Sequence, residues 1–175
     1  MKQVILPLLF FTLVPGQLWA DVVNSSEHGF ELRIEKTVNS DAMAVYRQFI
    51  RIGEWWDPEH TWFGKAENLS IEPTAGGCFC EKSDDREVLH MTVSYVDPGK
   101  EIRMIGGLGP LQMMGVHGGW SWQFKALPEN RTNIILNYQV VGFLPGGLDS
   151  LVEVVNGVQT NQVRRLESTI ESAKQ

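Results

Sequence analysis

The feature that most limits what this chain can become is its C-terminal stretch. From Leu148 onward, apolar residues fall at Leu148, Leu151, Val152, Val155, Val158, Val163, Leu166 and Ile170. Those steps of three, four and five keep to one stripe of a helix at about 3.6 residues per turn. Glu153, Asn156, Gln159, Asn161, Arg164, Arg165, Glu167 and Glu171 fall between them as the solvated face. Pro145-Gly146-Gly147 supplies a loop ahead of it, and Asp149 or Ser150 is placed to cap the first turn. A helix of about 25 residues is about 37 Å long. An apolar stripe of that length needs a long apolar surface to cover it.

That surface has to come from strands. Phe30-Glu31-Leu32-Arg33-Ile34-Glu35 alternates strictly between apolar and charged residues, the pattern of a half-buried strand. Asn39-Ser40-Asp41 is a cap signal, followed by Met43, Val45 or Tyr46, Phe49 and Ile52 as the apolar edge of a short helix. Gly53 ends it, and Trp55-Trp56-Asp57-Pro58 opens a second short helical turn or loop. Further strands are expected at Leu69–Ile71, from Cys78 to Glu81, from Val88 to Val96, from Ile102 to Ile105, around Trp120–Phe124 and from Thr132 to Val141. Gly76-Gly77, Ser83–Arg86, Asp97-Pro98-Gly99 and Glu129-Asn130-Arg131 are the turns between them. Hairpin-linked strands make an antiparallel sheet whose apolar face must be covered. The expected fold is therefore α+β: a curved seven-stranded antiparallel sheet around the long C-terminal helix, with two short helices after the first strand.

The chain has 175 residues and a formal net charge of −6. An acidic chain without a basic cluster is a poor partner for nucleic acid or an anionic membrane surface. Lys2, the apolar run from Val4 to Val14, Pro15-Gly16 and Leu18-Trp19-Ala20 follow the pattern of a secretory signal cut after Ala20. The apolar run is too short for the roughly 20 residues that span a bilayer. Residues 1–20 are thus expected to be a cleavable signal peptide, 21–29 a flexible leader and 30–175 one domain. The mature protein is expected in the periplasm or secreted, with no stable membrane insertion. Two cysteines are too few for a disulfide-stapled scaffold.

Several segments together resemble the START-like superfamily: Trp55-Trp56-Asp57-Pro58, Gly76-Gly77-Cys78-Phe79-Cys80-Glu81, His90, Val96-Asp97-Pro98 and Gln159 to Leu166. That group includes birch-pollen-allergen-like proteins, polyketide cyclase/dehydrase-like proteins and the C-terminal domain of heat-shock-chaperone ATPase activators. The resemblance runs from about Phe30 to Ile170 and implies a helix-grip fold with a hydrophobic cavity for lipids, sterols, polyketides or other apolar molecules. The signal peptide departs from the chaperone activators, which work in the cytosol.

The aromatic and thioether side chains are the candidates to line such a cavity: Trp55, Trp56, Trp62, Phe79, Met104, Met113, Met114, Trp120, Trp122 and Phe124. The same residues are equally able to serve as plain core. The glycine-rich stretch 106–119 suits a cover over the mouth. Its Gly-Gly-Leu-Gly run lacks the Lys-Ser/Thr pair of a phosphate loop. Cys78 and Cys80 are expected as free or cavity-facing thiols, because a regular strand holds such side chains roughly 6.5 Å apart. A bridge between them needs a bulge or bend. With His60 and His90 they also form a conceivable tetrahedral zinc set, though not in the usual spacing. No metal or cofactor is assigned. For acid–base work the candidates are His90, Glu81, His60, His117 and Tyr138, with strand parity pointing His90 outward. The expected function is binding of a small hydrophobic molecule. A cyclase/dehydrase-like enzyme acting on a bound carbonyl compound is the alternative, and a co-chaperone-like protein-binding module the third.

Overall fold

The computed structural model describes residues 19–173. Eight strands form one antiparallel sheet in the order β1-β2-β8-β7-β6-β5-β4-β3. They are β1 (Trp19–Ser26), β2 (Gly29–Val38), β3 (Leu69–Ile71), β4 (Cys78–Ser83), β5 (Arg86–Asp97), β6 (Glu101–Gly106), β7 (His117–Leu127) and β8 (Arg131–Val141). The described residues also form two α-helices, α1 (Ala42–Ile50) and α2 (Val152–Ser172).

All seven expected strands are present, and β1 is an addition. Residues 21–26, read as a flexible leader, pair antiparallel with β2 and contain a bulge between Val22 and Asn24. They gave no period-2 signal because an edge strand buries little, and Val22 and Val23 both stay exposed. Most of the expected signal peptide, residues 1–18, lies outside the described residues. Only the first of the two short helices is an α-helix, with Asp41 accepting the backbone N–H of Ala44 at its start. The second reduces to single 3-10 turns at Ile52–Glu54, Pro58–His60 and Ala66–Asn68. Helix α2 also starts later than its stripe: Leu148–Leu151 is a 3-10 turn, and the N-cap position is Leu151, whose side chain makes no capping hydrogen bond. The Ser150 hydroxyl instead donates to the Gly147 carbonyl.

The core lies between the inner face of the sheet and the two helices. Alternation buries Phe30, Leu32 and Ile34 of β2, Trp120, Trp122 and Phe124 of β7, and Ile134, Leu136, Tyr138 and Val140 of β8. Register places Leu32 beside Tyr138 and Tyr138 beside Trp120. Phe49 of α1 sits on this row, 4.9 Å from Trp122 and 5.5 Å from Phe124. Truncating a buried aromatic of this kind to alanine costs about 3–5 kcal/mol. Helix α2 packs along β2 and β1, buries Val163, Leu166 and Ile170, and is tied to β2 by the Lys36–Glu167 ion pair at 3.0 Å. Its first turns stand off from the sheet.

Strand β5 carries two bulges. Phe79 faces Met91 while Cys80 faces Leu89, so His90 is the extra residue in β5. Val93 faces Met104 while Tyr95 faces Arg103, so Ser94 is a second. Each bulge reverses which residues point inward. His90 and Met91, neighbours in sequence, are consequently both buried.

Candidate functional site

Where the first turns of α2 stand off from the sheet there is a cavity of about 560 Å³. Its wall is drawn from four places. Helix α2 and the turn before it give Leu151, Val154, Val155, Val158 and Gln159; the loop after α1 gives Trp56, Glu59, His60, Thr61 and Trp62. The β6–β7 connection contributes Leu108, Gly109, Pro110, Leu111 and Met114, and the sheet contributes Phe79, His90 and Tyr138. Trp62, 46 % exposed, stands at the rim with Met114 and Val154. A larger depression beside Lys65, Glu67 and Arg165 is a groove in polar surface, a poorer setting for an apolar guest.

The loop that carries Trp56 and Trp62 is held from two sides. Arg165 of α2 donates through Nε to the Trp55 carbonyl at 2.9 Å and through Nη2 to that of Trp56 at 3.3 Å. Asn161 donates to Asp57 Oδ2 at 2.6 Å, and Gln162 Oε1 accepts the Asp57 N–H at 3.0 Å. That fixes the Gln162 amide, whose NH2 then faces His60 Nδ1 at 3.3 Å. From the sheet side, Glu81 of β4 accepts the backbone N–H of Trp62 at 2.8 Å and of Phe63 at 2.7 Å. Glu81 has no exposure at all.

Glu81 also meets His90 Nε2 at 3.3 Å. Both carboxyl oxygens face N–H donors, the arrangement that suits a carboxylate, and opposite a carboxylate Nε2 must carry the ring hydrogen. Burial pushes the His90 pKa down, with the nearby Glu81 opposing it. The neutral ring with its hydrogen on Nε2 leaves Nδ1 as a bare lone pair, and that atom is buried without a partner among the described residues. Tyr138 is buried beside the cavity, and its hydroxyl hydrogen has no acceptor among the described residues. Burial drives its pKa above the ordinary phenol range, with the Leu108 backbone opposing. The indole N–H of Trp120 donates to Gln159 Oε1 at 3.0 Å. Phe79 stacks on Trp120, with centroids 6.0 Å apart and an interplanar angle of 17°, and also meets His90, with centroids 4.8 Å apart.

Of the ten side chains singled out as lining, four reach the cavity: Trp56, Trp62, Phe79 and Met114. Trp55, Met104, Trp120, Trp122 and Phe124 are core residues behind its wall, and Met113 points to solvent at 84 % exposure. His90 does not point outward, because the bulge turns it in. Gln159 does not lie on the solvated face; it is buried at 2 % exposure. The step of five between Val158 and Val163 was the available signal, since an apolar stripe ordinarily fills the intervening turn. Tyr138 shares the inward parity of Leu136 and Val140. His117 is exposed at the start of β7.

Cys78 and Cys80 are neither free nor cavity-facing. They are bonded to each other, with Cα atoms 5.4 Å apart, on the face of β4 opposite Phe79 and Glu81. The zinc set weighed from sequence therefore does not assemble, as its thiols and His90 lie on opposite faces.

An antiparallel sheet with a long C-terminal helix over a ligand-sized apolar cavity defines the class of protein. No protein-family model matches this chain, and no curated protein does. Solved structures do. A protein from Rhizobium leguminosarum is similar with a TM-score of 0.61 at 18 % identity, covering 89 % of this chain and 99 % of its own. A conserved protein of unknown function from Enterococcus faecalis gives 0.56 at 13 % identity, with coverages of 88 % and 77 %. DynU16, a protein of the dynemicin biosynthetic locus, gives 0.58 at 17 % identity; the match covers 82 % of this chain and 48 % of DynU16. At these identities the similarity is one of fold.

Proposed function

We propose that this protein binds a small hydrophobic molecule in the cavity between sheet and C-terminal helix. The observation that carries the reading is the cavity itself: about 560 Å³, walled chiefly by tryptophan, phenylalanine, leucine, valine and methionine. Pockets of this size and lining bury most of a drug-sized ligand, and each Å² of apolar area removed from water contributes about 25 cal/mol. The START-like resemblance and its helix-grip fold support the same reading, as does the place of DynU16 in a biosynthetic locus. The test is titration with a neutral fluorescent naphthylamine in wild type and in Val158→Trp, which fills the cavity from a part-exposed helix position. Saturable binding that Val158→Trp abolishes is the expected result; binding unchanged in that variant places the dye elsewhere and sinks the proposal.

A cyclase/dehydrase-like activity on a bound carbonyl compound is the second reading, favoured by the buried His90–Glu81 pair, whose His90 lines the cavity. It requires turnover that His90→Gln removes. The co-chaperone-like alternative has no such feature behind it. Export to the periplasm or beyond is also proposed, on the pattern of residues 1–20. The Cys78–Cys80 bond suits an oxidising compartment. N-terminal sequencing of the exported chain is expected to begin at Asp21.

A further inference from the structure

Three polar groups on the cavity wall lack partners of their own. His90 Nδ1 and the hydrogen of the Tyr138 hydroxyl are buried with no partner among the described residues. Gln159 is the third: Trp120 supplies an N–H, so Oε1 must be the atom that meets it, and the amide NH2 is left with no partner among the described residues. All three residues line the cavity. They also gather about one feature. Tyr138 pairs directly with Trp120 across β7 and β8, Gln159 holds the Trp120 indole, and His90 flanks the Phe79 ring stacked on it.

A buried polar group without a hydrogen bond is costly, so the two buried groups, with the Gln159 NH2 on the same wall, call for an explanation. We infer that the ligand is a neutral apolar molecule carrying a hydroxyl group, a phenol or an alcohol, seated with that hydroxyl between His90, Tyr138 and Gln159. This rests on the cavity-binding reading and narrows it. A hydroxyl offers one hydrogen and two lone pairs. The hydrogen goes to the bare His90 Nδ1, and the lone pairs take hydrogens from Tyr138 and Gln159. A plain hydrocarbon leaves all three groups unpaired. A ketone has nothing to give Nδ1. A carboxylate meets no lysine or arginine on this wall and brings its charge towards the buried Glu81; an ammonium group, a donor only, leaves the Gln159 NH2 without an acceptor.

The test is calorimetric titration of the mature protein with 2-naphthol, naphthalene and 2-naphthoate at pH 7.5. These share one ring system and differ only in the polar group. The expected order is naphthol at least tenfold tighter than naphthalene, with naphthoate weakest. Tyr138→Phe and Gln159→Met, each close to isosteric, are expected to weaken naphthol three- to tenfold while leaving naphthalene unchanged or tighter. Equal affinity for naphthol and naphthalene, or a ratio that neither variant moves, overturns the hydroxyl assignment and leaves these groups to solvent. Tightest binding of naphthoate overturns the neutrality. If the three probes and the neutral naphthylamine all fail to bind, it is the cavity reading that falls.

Discussion

Glu81→Gln is the perturbation that most directly tests how the mouth of the cavity is held. The wild-type carboxylate gives one oxygen to the Trp62 N–H and the other to the Phe63 N–H. A glutamine side chain keeps one acceptor and turns an NH2 towards the second donor. One backbone N–H is then left facing another donor, at about 1–3 kcal/mol, and the other exchanges a charged acceptor for a neutral one, at about 1 kcal/mol. The expected loss is about 3 kcal/mol. With a urea slope of about 2 kcal/mol per M, that moves the midpoint down by about 1.5 M. The loss is local in origin, so amide exchange at Trp62 and Phe63 should quicken more than at Leu136 in the middle of β8. Glu87→Gln is the control: it removes an exposed ion pair with Lys82 on the same hairpin and should leave the midpoint nearly unmoved. A Glu81→Gln midpoint within about 0.3 M of wild type would refute the claim that this carboxylate anchors the loop.

Other expectations follow from single features. Because burial lowers the His90 pKa, the unfolded chain binds a proton at a higher pH than the folded one. Stability from this group is therefore complete above about pH 6.5 and declines as pH falls towards the folded value; His90→Gln should flatten that part of a stability–pH curve, and an unchanged slope would assign the effect to other groups. Replacing both Cys78 and Cys80 by serine opens a bond between residues only two apart, so chain entropy accounts for a loss of about 2 kcal/mol; thermal unfolding that shows collapse of the fold would contradict this. Gly157 sits in α2 with open space where a Cβ would stand. Gly157→Ala should accordingly raise stability by about 1 kcal/mol in urea denaturation, and a decrease would mean that the helix bends there.

The fold was more legible in the sequence than the site, for physical reasons visible in particular residues. Phe30, Leu32 and Ile34 alternate because their strand is regular and half-buried, and the row Trp120, Trp122 and Phe124 does the same. Parity fails in β5 because a bulge has no hydropathy signature, so alternation points His90 outward while the bulge turns it in. Gln159 looked solvated because its type is polar, whereas its position between Val155 and Val163 lies on the buried stripe. The cavity follows from how far the first turns of α2 stand off, a matter of packing that periodicity does not encode. Trp55 and Met104, large and apolar like the true lining, were for that reason indistinguishable from it. The Cys78–Cys80 bond depended on local strand geometry and could not be read from spacing alone.

The pairing of β2 with β8 also sets when this molecule can fold. Gly29 lies against Val141, and Val38 against Thr132, contacts that close loops of roughly a hundred residues. Until β8 has been synthesised, β1 and β2 form at most an isolated hairpin, which is marginal in water. A nascent chain therefore leaves Phe30, Leu32 and Ile34 uncovered until most of its length has emerged. Topology of this kind belongs with the slower, millisecond-to-second folders, and a chain stopped short of Arg131 leaves β2 without its inner neighbour.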